Sequence, residues 1–131
     1  MRLMGIDFGT KKVGIAISDG EGTMAFPKSV VPNDGALLEA LADMVQSEGV
    51  GVIVMGESFN LEGNPNPVMS DVSKMAALLT SKLGVPVVFE PEVFTTKQAE
   101  RIQGSTELTD ASAAALILQS YIDRHLGHGN R

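Results

Sequence analysis

The stretch GIDFGTKKVGIAISDGEG, residues 5–22, contains two short apolar runs and two tight turns. Arg2–Phe8 is apolar, GTKK follows at 9–12, and Val13–Ser18 is apolar again. Asp19-Gly20-Glu21-Gly22 is a strong turn signal. Thr23–Val31 then returns as a third strand, in which Pro27 marks an edge or a bulge. Together these segments predict an antiparallel meander.

Beyond Asp34 the apolar period changes. Leu37, Leu38, Leu41, Met44 and Val45 fall on one helical stripe that Gly49 ends. Val50–Met55 is continuously apolar, as a parallel strand buried on both faces should be. An Asn-, Gly- and Pro-rich loop (58–67) follows. Val68, Val72, Met75, Ala76 and Leu79 mark a second helix, ended by Gly84. Val85–Glu90 reads as another strand, Thr95–Gln103 as a short helix, and Asp110–His125 as an Ala-rich helix with a polar tail. The order βββ-α-β-α-β-α predicts an α/β fold. Its mixed sheet has five strands, three antiparallel then two parallel, with helices on both faces. At 131 residues the chain is expected to be one domain, 1–131.

Composition narrows the function. Ten Lys+Arg against 16 Asp+Glu give a net charge of −6. That argues against a protein that coats polyanions through a broad basic face. With no Cys there is no disulfide framework, Cys-based zinc site or thiol nucleophile. No apolar run approaches the roughly 20 residues of a membrane helix, and MRLMGIDFGT has no signal-peptide core. The expectation is a cytoplasmic protein without a membrane partner.

The acids carry the chemical signal. Asp7 ends an apolar strand, where a carboxylate is costly to bury unless it is paired or binds a cation. Beside it stand Gly9, Thr10, Lys11 and Lys12, a turn suited to a metal ion and a phosphate. Capping that turn is Asp7's alternative role. Asp110 occupies the first turn of the last helix, which the helix dipole alone would favour. Ala111, Ala113, Ala114 and Ala115 keep that helix thin. Lying over the first strand, it would bring Asp110 towards Asp7. Glu57, Glu90 and Glu92 sit at or beyond the ends of apolar strands, where ligands gather in open sheets with parallel strands. Converging carboxylates suit Mg²⁺ or Mn²⁺ and in-line phosphodiester cleavage.

At these residues the chain resembles the YqgF/RuvX family. GIDFGTKKVGIAISD (5–19) and TDASAAALILQSYID (109–123) carry most of the likeness, helped by NLEGN (60–64) and FTTKQAE (94–100). The resemblance implies a ribonuclease H-like fold and a metal-dependent nuclease. Its substrate would be precursor 16S ribosomal RNA or a branched DNA junction. It also implies Asp7, Glu92 and Asp110 as metal ligands. The ribosome is a candidate partner, and the oligomeric state stays open: two junction cuts favour a homodimer, whereas trimming one RNA end needs only a monomer.

Two departures bear on the site. The family's Asp-Glu-Arg tripeptide reads Pro91-Glu92-Val93 here, which retains the Glu and loses a likely phosphate fork. Glu90 is either a partial substitute for the lost acid or an exposed strand end. Gly56-Glu57-Ser58 stands where the family has Gly, an apolar residue and Pro. Because the fourth strand should lie beside the first, Glu57 becomes a further candidate ligand, with a solvated loop residue as its alternative. Thr10, Lys11, Lys12, Asn60 and Thr95 are candidate substrate contacts. Turn chemistry is the other explanation of Asn60, and helix capping that of Thr95. His125 and His128 read as tail residues. Two other readings stay open: an inactive nucleic-acid binder, and a phosphate-binding hairpin like that of actin-like and sugar-kinase ATPases.

Overall fold

The computed structural model describes residues 1–57, 69–91 and 109–126, with Thr109, Asp110 and Leu126 as backbone positions only. Strands β1 (Arg2–Phe8), β2 (Lys12–Ser18) and β3 (Ala25–Pro32) form the expected meander. β4 (Val50–Glu57) runs parallel to β1, and β5 (Val87–Pro91) parallel to β4. The sheet order is β3-β2-β1-β4-β5, so β1 is central and β4 lies directly beside it.

The third strand starts two residues later than its sequence predicts. The Asp19 carboxylate accepts hydrogen bonds from the Thr23 hydroxyl (2.5 Å) and backbone N–H (2.7 Å), and from the Met24 N–H (3.3 Å). Those residues are therefore turn, and the bonds, Thr23's hydroxyl foremost, hold the Asp19 carboxyl below the usual range. Pro27 lies on the sheet edge. Ser29 faces Ile15 while Pro27 faces Ala16, which leaves Lys28 as the extra residue of a bulge. Lys28 in turn reaches Glu48 at 2.9 Å, and that ion pair lowers the Glu48 carboxyl.

Helices α1 (Leu37–Glu48) and α2 (Met69–Leu83) cover one face. Leu37, Leu41, Val45, Val72, Ala76 and Leu79 pack there on Met4, Ile6, Ile15, Ile53 and Met55. Asp34 accepts the Ala36 N–H at 2.9 Å just before α1, and Gly49 closes the helix at φ 67°. Full burial of each large aliphatic chain contributes roughly 1.5–3 kcal/mol.

Helix α3 (Thr109–Tyr121) covers the other face through Ala114, Ile117 and Leu118, packed on Leu3, Ala16 and Val54. The approach is extreme at Gly5. A Cβ there would lie 2.7 Å from both the Ala114 carbonyl oxygen and the Leu118 Cβ. Further along, Gln119 ties α3 to the start of β3, accepting from the Ala25 N–H (2.8 Å) and donating to the Thr23 carbonyl (3.3 Å). Ala25 pairs with Ser18, whose hydroxyl accepts the Leu3 N–H, so this anchor lies by the N-terminal end of β1. The N-terminal end of α3 therefore points towards the C-terminal end of β1. The last helix also ends earlier than its sequence predicts: Ile122–Leu126 widens into a π-helical turn. The expected helix over 95–103 lies outside the described residues.

Candidate active site

Asp7 is half-buried at the C-terminal end of the central strand. Met4 and Ile6 enter the α1–α2 core, while Leu3 and Gly5 face α3. Strand alternation therefore gives Asp7 to the α3 face. The thin helix and the glycine beneath it bring α3 against the same strand.

The neighbouring turn is built tightly. The Gly9 N–H donates to the Lys12 carbonyl at 2.9 Å, and a Cβ on Gly9 would lie 2.6 Å from that oxygen. Glycine is needed for the turn itself. Asn33 braces it from the far end of β3: its Nδ2 donates to the Gly9 carbonyl (2.8 Å) and its N–H to the Lys11 carbonyl (2.9 Å). Thr10, Lys11 and Lys12 are left exposed beside Asp7. Asn33 has no signature in the sequence, because its role depends on where β3 ends.

Register and pleat separate the candidate glutamates. Ile6 pairs with Met55, so Glu57 lies at the level of Phe8. Ile53 and Met55 enter the α1–α2 core and Val54 the α3 core. Alternation thus gives Glu57 to the face opposite Asp7. Adjacent strands bring two residues to one level of the sheet, but alternation decides the face each one occupies.

Glu90 is not an exposed strand end. It is 1% exposed, and its Oε2 accepts from Ser120 Oγ (2.8 Å) and Arg124 Nη1 (2.9 Å). His125 Nε2 stands 3.5 Å from Oε1, with its ring 4.8 Å from that of Tyr121. With its oxygens so engaged, Glu90 does not substitute for the lost acid. His125 likewise belongs to an organised turn rather than to a tail. Glu92, Asn60, Thr95 and His128 lie outside the described residues, and Asp110 is described only as a position in α3. Among the described residues, no three acidic, His or Cys side chains cluster so as to hold a metal.

A five-stranded sheet ordered 3-2-1-4-5, with an acid ending its central strand and a helix pressed on that face, defines a ribonuclease H-like α/β protein. Solved resolvases share this fold. Thermus thermophilus RuvC superposes with TM-score 0.64 at 17% identity, covering 95% of this chain and 96% of that one. A fowlpox virus resolvase solved with Holliday junction DNA also gives 0.64, at 14% identity, covering 97% and 100%. Within the fold, the RuvX family profile, described as Holliday junction resolvase, matches residues 1–124, and the chain belongs to that family. A relative from Pelotomaculum thermopropionicum, named "Putative pre-16S rRNA nuclease", is 36% identical over 134 residues, spanning 94% of this chain and 87% of the relative. One from Moorella thermoacetica with the same name is 37% identical over 134 residues, spanning 95% and 96%.

Proposed function

We propose that this chain is a metal-dependent nuclease that hydrolyses phosphodiester bonds, acting on the 5′ end of precursor 16S ribosomal RNA. The observation that carries this reading is Asp7, half-buried at the end of the central strand, beside an exposed Thr-Lys-Lys turn and on the face against which α3 is pressed. The name shared by the relatives supports the RNA substrate. Asp7, Glu92 and Asp110 form the ligand set; the opposite-face position of Glu57 argues against including it. Carboxylate donors in a chain without Cys fit a hard divalent ion. Mg²⁺ or Mn²⁺ held there would supply an activated water and neutralise charge on the phosphate.

The chain's own residues orient the substrate. Lys11 and Lys12 attract the phosphate backbone and Thr10 donates to it, while Asn33 keeps their turn from yielding. Asn60 and Thr95 are further candidate contacts. The setting is the cytoplasm, on ribosomal precursors. No described helix is long and apolar enough to cross a membrane. A monomer suffices to trim one RNA end.

The family's description favours a second reading, cleavage of a four-way DNA junction; two cuts in one junction would call for a homodimer. Purified protein with Mg²⁺ or Mn²⁺ is offered both substrates, beside Asp7→Asn and Glu57→Gln. The expected result is metal-dependent cutting of the RNA that Asp7→Asn abolishes and Glu57→Gln retains. Cutting of the junction alone selects the second reading. Cutting of neither by folded, metal-bound protein refutes both.

A further inference from the structure

Glu90 is fully buried, yet the Arg124 and His125 side chains arranged on it are not. Arg124 is 56% exposed and His125 50%. Stability does not demand this arrangement. An ion pair with a buried member is often replaced by apolar residues with no loss, because desolvation offsets the attraction. What the pair does provide is orientation. A guanidinium presents five N–H donors in a rigid fork. One of its nitrogens binds Glu90 Oε2, and the exposed remainder faces solvent. Ser120 fixes the same oxygen, and the π-helical turn carries Arg124 and His125 to it. Such turns are frequent at functional sites.

Its place on the sheet gives this fork a use. Ile6, Met55 and Phe89 are paired across β1, β4 and β5. The next row is Asp7, Gly56 and Glu90. Val88 packs on the α3 core, so Glu90 lies on the Asp7 face, with Cα atoms about 10 Å apart at two strand spacings. Gly56 interposes no side chain. Lys11 and Lys12 flank Asp7 on the β2 side, while Arg124 and His125 stand on the β5 side. In a chain of net charge −6, the acidic centre thus has cations on both sides.

We propose that Arg124, seated on the buried Glu90 carboxylate with His125 beside it, is a nucleic-acid phosphate contact on the β5 side of the active site. The inference rests on the nuclease reading above. Binding is measured by anisotropy on the full chain in EDTA, where no cleavage occurs. The probes are labelled 16S leader RNA and a labelled four-way junction, over a salt titration from about 50 to 200 mM. The deciding variant is Glu90→Leu with Arg124→Met. It removes a buried charge together with its partner and keeps the net charge unchanged, so any loss is local.

The expected result is a folded protein whose slope of log affinity against log salt falls by about 0.7 on the single-stranded RNA. Its affinity is expected to be about fivefold weaker near 0.1 M salt, the effect of one lost phosphate contact on single-stranded RNA. Arg124→Lys should keep the slope that Arg124→Gln loses, and this pair decides if the double variant does not fold. A merely structural Arg124 would move the melting temperature and leave the slope alone. An unchanged slope in a folded variant overturns the proposal. Wild-type protein that cuts while its variants keep their slope refutes only the phosphate contact. Wild-type protein that neither binds nor cuts either substrate refutes the nuclease reading and this proposal together.

Discussion

Replacing Gly5 by alanine tests how α3 and β1 fit together. The added Cβ would meet two atoms of α3 at 2.7 Å, about 0.7 Å short of the 3.4 Å where ordinary contact begins. One of them is the Ala114 carbonyl oxygen, a backbone atom that no rotamer change can move. The helix must therefore lift or the strand must sink. Forcing a methyl into a packed interface costs about 1–3 kcal/mol. The two contacts lie on one rigid element, so one displacement relieves both and their costs do not add. In a domain of this size, a cost of about 2 kcal/mol lowers the melting temperature by roughly 5–10 °C. Misplacing a catalytic group by about 1 Å can cost up to a hundredfold in rate. Gly5→Ala should therefore lose cleavage activity out of proportion to its lost stability, because α3 carries Asp110. Gly35→Ala is the control: a Cβ there meets nothing within 4 Å. Thermal melts and single-turnover cleavage are compared at a temperature where both proteins are folded. A Gly5→Ala protein that melts and cuts like wild type would refute the argument.

Other perturbations follow from single contacts. Gly49→Ala puts a side chain on a residue at φ 67° in otherwise open space; it should cost about 1–2 kcal/mol through the backbone alone, read by urea unfolding. Asn33→Ala removes the 2.8 Å bond to the Gly9 carbonyl. It should cost about 1 kcal/mol and raise KM for the nucleic acid more than it lowers kcat, since it loosens the turn bearing Lys11 and Lys12. The Asp19 and Glu48 carboxyls are both lowered on folding. Their contribution to stability is complete above the ordinary carboxylate range, declines as pH falls below it, and is gone once pH has passed through their lowered folded values. Melts from neutral pH into acid should show that decline, shallower in Asp19→Asn.

Local chemistry was the legible part of the sequence. The Asp-Gly-Glu-Gly turn, the Pro27 edge and the Gly49 and Gly84 stops are decided by neighbours a few residues away. The small residues Ala111, Ala113 and Ala114 also gave a correct warning that the last helix would come close to the sheet. The errors arose where a partner is distant or a face must be counted. Glu90 follows a run of apolar residues and reads as an end, because its partners are 30 and 34 positions downstream. Glu57 was placed beside Asp7 by strand order, and only the pleat shows that the two diverge. Asn33 carries no local signal, because the turn it braces lies more than twenty residues upstream. Of the candidate ligands, Asp7, Glu57 and Glu90 have described side chains, whereas Glu92 and the Asp110 carboxylate lie outside the described structure.

The contact between Gly5 and Ala114 also has a meaning for synthesis. It joins β1 to α3, so this core stays half-made until α3 has been synthesised. Such non-local closure comes late in folding. Until α3 emerges, Leu3, Ala16 and Val54 have no cover, and the two ends of the proposed metal site are not yet in the same molecule. A nascent or prematurely terminated chain would hold Asp7 but have no competent centre.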